Sequence, residues 1–242
     1  MDRNSLGKLF TDLYDLVVRL RSPGGCPWDA RQTYRTLRMY LLEEAYEALD
    51  AVEKGEAAEI CRELGDLLFQ IVFMAYLGEE RGEFDLLDVL RNIHEKMIRR
   101  HPHVFGSSTV ESAEEVSANW AAIKQKERED AGEPTSPFET VPVALPSLLR
   151  AHRLGERAAK AGLSETESED PRPRIRERLG ELEELDREKD VELFRERMGD
   201  LLFDLASLAR GWGLNSEDLL RAANQRFVER FREPGGRDPG AR

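Results

Sequence analysis

Met198-Gly199-Asp200-Leu201-Leu202-Phe203 restates Leu64-Gly65-Asp66-Leu67-Leu68-Phe69 at an offset of 134, the distance from Asp66 to Asp200. A chain that repeats itself over such a distance is constrained to build one supersecondary unit twice. The period inside each copy is helical. Leu6, Leu9, Phe10, Leu13, Leu16, Val17 and Leu20 define a first helix, which Ser22-Pro23-Gly24-Gly25 stops. Cys26-Pro27-Trp28-Asp29 follows as a loop, with Asp29 the expected N-cap of a second helix over 30–52. A third helix continues from the turn at Lys54-Gly55 to about residue 80, and a fourth covers 86–100 with Leu86, Leu87, Leu90, Ile93 and Met97 inward. His101-Pro102-His103 ends it as a cap or, less economically, offers two metal ligands. A polar helix with Trp120, Ile123 and Lys124 covers 111–129.

Gly132, Pro134, Pro137, Pro142 and Pro146 give 131–146 the composition of a linker. Helical spacing resumes at Leu148, Leu149, Ala151 and Leu154, breaks over 164–173, and yields two further helices and a last one over 217–231. No segment has the two-residue period of a strand. The expectation is an all-α protein: a first module over 1–130, a linker over 131–146, a second four-helix module over 147–231 and a disordered tail over 232–242.

A formal net charge of −12 argues against a nucleic-acid-binding surface, so a polyanionic ligand must be met by local cations or metal. The first twenty residues lack the apolar core of a signal peptide, and the longest apolar run, 67–77, is interrupted by Gln70 and too short to span a bilayer. Cys26 and Cys61 form no metal or disulfide pattern. A cytoplasmic protein without membrane partners is expected.

Each of the second and third helices carries two carboxylates three residues apart, Glu44 with Glu47 and Glu63 with Asp66. Residues at i and i+3 share a helix face. Glu44 and Glu47 flank the stripe Leu41, Ala45, Ala48, Leu49 and Val52, while Glu63 and Asp66 flank Ile60, Leu64, Leu67, Leu68 and Ile71. Packing the stripes together brings four acids to one place. Two carboxylates about 5 Å apart repel by roughly 3 kcal/mol at an effective dielectric near 20. Protonation or a hard divalent cation relieves that repulsion, and an all-oxygen ligand set favours Mg²⁺ or Mn²⁺ over zinc. Acids on helices are more often a solvated face, and Glu43 is read that way. Asp66 sits in so apolar a helix that an unpaired carboxylate there would be expensive. Trp28 either stacks on a flat ligand or closes the core.

The second copy is altered at the same places. Glu47 matches Glu181 and Asp66 matches Asp200, but Glu44 matches Arg178 and Glu63 matches Arg197. Four negative charges become none, a set that can pair with itself and has little reason to hold Mg²⁺. Arg226 and Arg230 match Lys96 and Arg100 at an offset of 130.

Glu43-Glu44-x-x-Glu47 and Glu63-x-x-Asp66, with Cys26-Pro27-Trp28-Asp29 before them and Arg99-Arg100-His101-Pro102-His103-Val104-Phe105 after, resemble the MazG family of nucleoside triphosphate pyrophosphohydrolases. The resemblance extends to the tandem arrangement and to Pro146-Ser147-Leu148-Leu149-Arg150-Ala151 at the start of the second copy. It implies four-helix modules that cleave NTPs or dNTPs between the α and β phosphates, giving the nucleoside monophosphate and pyrophosphate. It also implies Mg²⁺ on Glu44, Glu47, Glu63 and Asp66 as the catalytic set, phosphates on Lys96, Arg100 and Lys124, and a homodimer. Trp28 is the candidate for base stacking. In some two-copy relatives the activity is assigned to the second copy; here that copy carries Arg178 and Arg197 and shows Gly162-Leu163-Ser164 where an aromatic Gly-Phe-Asp-Trp-type loop is expected. The active site is therefore expected in the first copy. The alternatives are a non-catalytic nucleotide-sensing or dimerisation module and, weakly, a di-metal oxidoreductase, which usually needs Glu-x-x-His pairs that neither acid pair supplies.

Overall fold

The structure, a computed structural model, describes residues 2–132, 136–163 and 170–232. Part of the expected polar break and nearly all of the expected tail lie outside these residues. The described residues form ten α-helices and no strand, as an all-α fold requires. The chain divides into two compact units, Met1–Lys124 and Gln125–Arg242.

The first unit holds α1 (Arg3–Arg21), α2 (Tyr34–Lys54), α3 (Ala57–Glu80), α4 (Leu86–Arg100), the single turn α5 (Pro102–Phe105) and the start of α6 (Ala113–Ala131). α3 is its centre and packs against α1, α2 and α4. The core is Val17 from α1, Leu37 from α2, Val72, Phe73, Ala75 and Leu77 from α3, and Leu86 from α4. Only two residues separate α2 from α3, so the helices run antiparallel. Gly55 makes the turn in the left-handed region at φ 77°, where a side chain would be strained. At the far end of α3 the Phe84 ring lies against Gly78, where a Cβ would sit 2.7 Å from it.

The second unit repeats the plan. It comprises α7 (Ser147–Lys160), α8 (Arg172–Glu183), α9 (Val191–Gly211) and α10 (Ser216–Arg232). α9 is central and packs against α7, α8 and α10, so α7 to α10 stand where α1 to α4 stand in the first. Ahead of α7, residues 136–146 form turns, with Val141 buried.

Three local expectations need correction. Asp29 does not cap α2: it opens a short 3₁₀ turn, Asp29–Arg31, and is buried. Thr33 caps α2 instead, in a reciprocal pair with Thr36. The segment before α2 is held from the other side by Arg21, which donates to the carbonyls of Asp29 and Gln32 and pairs with Glu80 at 2.6 Å. The buried face of α2 is Leu37, Ala48 and Ala51, turned toward Glu44, while Leu49 and Val52 are exposed. On α4, Leu86 is buried but Leu87, Leu90, Ile93 and Met97 are exposed.

Candidate metal centre

Glu44, Glu63 and Asp66 each offer a carboxylate oxygen, and the three oxygens lie within 4.8 Å of one another. The hairpin of α2 and α3 produces this. Glu44 belongs to the face of α2 turned to α3, and Glu63 and Asp66 stand one turn apart on the facing side of α3. Glu44 and Glu63 are half-buried and Asp66 is exposed, contrary to the burial expected from the apolar residues around it. The reason is that Leu64, Leu68 and Ile71, which suggested a core position, are themselves exposed. Glu47 lies one turn beyond Glu44 and outside the set of three, but near enough to act on it. Burial, then the charges of Asp66 and Glu47, and last that of Glu63, raise the proton affinity of Glu44 above the usual carboxylate value; the Gln70 amide opposes them.

Gln70 was not among the residues singled out by sequence. It follows Asp66 by one turn of α3, is 8 % exposed, and lies near enough to Glu44 to lower that residue's proton affinity. Its carbonyl oxygen Oε1 is buried without a hydrogen-bond partner. The signal for it was the one polar residue in the apolar run 67–77.

Three carboxylates at this spacing, with no histidine or thiolate among them, suit a hard cation that small side-chain rotations would complete. The other candidates fall into two groups. Trp28 is 53 % exposed, which removes it from the core, and its ring meets that of Tyr40 edge-on at 5.8 Å. Tyr40 precedes Glu44 by one turn of α2, so this loop docks beside the acidic face. Lys96 and Arg100 are half-buried one turn apart on α4. Just beyond them, His101 Nδ1 meets the Met97 carbonyl at 2.6 Å and its ring lies edge-on to Trp120 at 4.8 Å. Lys124 Nζ lies over the Trp120 ring, 5.4 Å from its centre. His101 thus ends α4 and packs on an aromatic ring.

The matching positions of the second unit are ion-paired. Arg178 bonds Asp200 and lies 2.8 Å from Asp204; Arg174 lies 3.1 Å from Asp204, and Arg197 3.3 Å from Glu181. Asp204, at the position of Gln70, is buried. Its two guanidiniums supply the compensation that a buried carboxylate needs.

Comparison with known proteins identifies the family. Residues 32–105, which contain all four acids, match the MazG nucleotide pyrophosphohydrolase domain. The chain is 40 % identical over 233 residues to a nucleoside triphosphate pyrophosphohydrolase of Escherichia coli K12, covering 95 % of this chain and 87 % of that one. It is 39 % identical over 227 residues to the nucleoside triphosphate pyrophosphohydrolase/pyrophosphatase MazG of Thermotoga maritima, covering 94 % and 86 %. A crystal structure of a mazG-related protein from Thermotoga maritima aligns with a TM-score of 0.42 at 27 % identity, over 47 % of this chain and 97 % of that one. On the family match and the extent of these identities, the chain belongs to the MazG family of nucleotide pyrophosphohydrolases.

Proposed function

We propose that the first unit hydrolyses nucleoside triphosphates to the monophosphate and pyrophosphate with Mg²⁺, Mn²⁺ serving as a substitute, and that the second unit is catalytically silent. The observation that carries this reading is the convergence of Glu44, Glu63 and Asp66 against the ion-paired Arg178, Arg197, Asp200 and Asp204 at the equivalent place. The activity for which the Escherichia coli and Thermotoga maritima relatives are named supports the reaction.

Glu44, Glu63 and Asp66 hold the cation, and Glu47 stands beside them to complete the set or to orient the attacking water. When bound, Mg²⁺ neutralises charge on the triphosphate and lowers the pKa of water. A carboxylate next to that water accepts its proton as the α-phosphorus is attacked, a role open to Glu44 or Glu47. Lys96 and Arg100, with Lys124 as a further cation, steady the departing pyrophosphate. Trp28 is the stacking surface for the base.

A second copy of the chain covers the exposed apolar residues Leu64, Leu68 and Ile71 of α3 and Leu49 and Val52 of α2, since exposed apolar surface is what an interface buries. Leu68→Asp is expected to convert a dimer to a monomer by light scattering. The reaction belongs to the cytoplasm, which suits the unpaired thiols Cys26 and Cys61. No helix among the described residues is long and apolar enough to cross a membrane.

The test of the reaction is a panel of NTPs and dNTPs with MgCl₂, scored for pyrophosphate against orthophosphate. Pyrophosphate is expected. Nucleotide binding with no pyrophosphate formed would select the non-catalytic sensing module instead.

A further inference from the structure

We propose that Arg21 is a positioning residue for the nucleotide base: its guanidinium fixes the loop over 22–33 so that Trp28 is held beside the acidic face instead of swinging free. The inference rests on the reading of Trp28 as the stacking surface and adds the residue through which that surface is held.

Three observations carry it. The first is how the loop is tied. The Arg21 side chain is 8 % exposed, and its guanidinium stands 5.4 Å from the ring centre of the core residue Phe73. From there it donates to the carbonyls of Asp29 and Gln32 and, through Nε and Nη2, to the carboxylate of Glu80 at 2.6–3.0 Å. The rigid fork of an arginine can divide its donors in this way; the single ammonium of a lysine cannot. Gln32 Nε2 extends the tie to the Trp28 carbonyl at 3.0 Å. At the start of the loop, the Cys26 N–H donates to the Leu20 carbonyl at 2.7 Å. Gly25 lies so close to the end of α1 that a Cβ there would meet the Leu20 carbonyl oxygen at 2.4 Å.

The second observation is what is tied. Asp29 and Gln32 are buried, but Trp28 is exposed and meets Tyr40 only edge-on. Ordering a loop costs conformational entropy, and here the largest side chain of the loop returns little of it by burial. A flat ligand on the open ring face would return it, and a loop already ordered spares the ligand that cost at binding.

The third observation comes from the other unit. Glu80 matches Leu214 at the offset of 134 and Arg210 at the offset of 130. Neither is an acid, so the carboxylate that fixes the guanidinium belongs to the unit that carries the three converging acids.

The test is a double-mutant cycle in the full chain between Arg21→Lys and Trp28→Ala. It is read as KM and kcat for pyrophosphate release, with MgCl₂, from the triphosphate cleaved fastest in the panel above. Trp28→Ala is expected to raise KM about tenfold or more, the worth of one stacked base. Arg21→Lys is expected to raise KM by a similar factor with kcat within about threefold. The double variant should be no worse than Trp28→Ala alone, because the two residues act as one unit. KM factors that multiply in the double variant overturn the proposal, since Arg21 then acts independently of Trp28. A fall in kcat at unchanged KM, the mark of a smaller folded fraction, overturns it too. If Arg21→Lys melts below the assay temperature, Glu80→Gln takes its place in the cycle: it leaves Arg21 but removes the carboxylate that orients it. The same pattern is expected, and an unchanged KM is again contrary. Trp28→Ala with unchanged KM refutes the stacking reading itself, whatever Arg21→Lys does, and the inference falls with it.

Discussion

In the first unit Glu44, Glu63 and Asp66 gather three like charges within 4.8 Å. In the second, at the same places on the matching pair of helices, Arg178, Arg197, Asp200 and Asp204 form ion pairs. The helical frame is shared: α3 packs on α1, α2 and α4 as α9 packs on α7, α8 and α10. The fold therefore tolerates either electrostatic solution in this hairpin. A cluster of like charges is relieved by protons or by a cation, whereas an ion-paired cluster stabilises itself. Side chains at four or five positions separate the acidic cluster from the ion-paired one.

The largest effect separating the units is expected from Glu44→Ala and Asp66→Ala. Each should lower turnover by at least about a thousandfold, because several kcal/mol of charge stabilisation leaves with the metal. Circular dichroism should show an unchanged helical content, and full activity in both variants would remove the metal centre from the reaction. Next come Lys96→Ala and Arg100→Ala, each expected to lower kcat/KM by about ten- to a hundredfold through lost phosphate contacts, measured by pyrophosphate release at saturating Mg²⁺.

Arg178→Ala tests the other side of the comparison. It leaves Asp200 without its guanidinium and Asp204 with only Arg174. A loss of about 2 kcal/mol from the second unit is expected, seen as a lower melting temperature, with the rate within twofold of normal. A large loss of turnover would mean that the second unit takes part in catalysis.

The smallest effect is in pH. Burial and neighbouring carboxylates raise Glu44 above 4.5 in the folded chain. Its folded form therefore binds the proton more tightly than its unfolded form, and its contribution to stability without metal is lost as pH rises through the raised value. Glu156 in the second unit is opposite. Burial favours its protonated form, but the bonds from Lys160 and Arg153 prevail and bring its pKa down from 4.5 to about 2. Its contribution is present above 4.5 and lost as pH falls toward 2. Melting curves in EDTA across the acid range should show these opposite slopes, with Glu44→Gln and Glu156→Gln each flattening its own.

Much of this was legible in the sequence. The helical period, the breakers at Ser22-Pro23-Gly24-Gly25 and Gly55, and the repeat gave every long helix, and of the four acids expected to converge the helix pair brings together Glu44, Glu63 and Asp66, with Glu47 outside the set. Cap chemistry misled where two candidates stood close together: Asp29 has the right side chain, but Thr33 has a partner in Thr36. Apolar residues misled on α3 and α4, because period alone does not tell a face buried in the core from one left exposed, as Leu64, Ile71, Leu87 and Ile93 are. Gln70 was hidden because its meaning depends on Glu44, twenty-six residues away across the hairpin. A single polar residue in an apolar run identifies a position without naming its partner.

The most direct test of the central difference is anomalous diffraction from crystals of the full chain grown with Mn²⁺. A peak is expected among the carboxylates of Glu44, Glu63 and Asp66, and none between Glu181 and Asp200. Mn²⁺ in the second unit, or a first unit empty in crystals that hold the ion elsewhere, would contradict it.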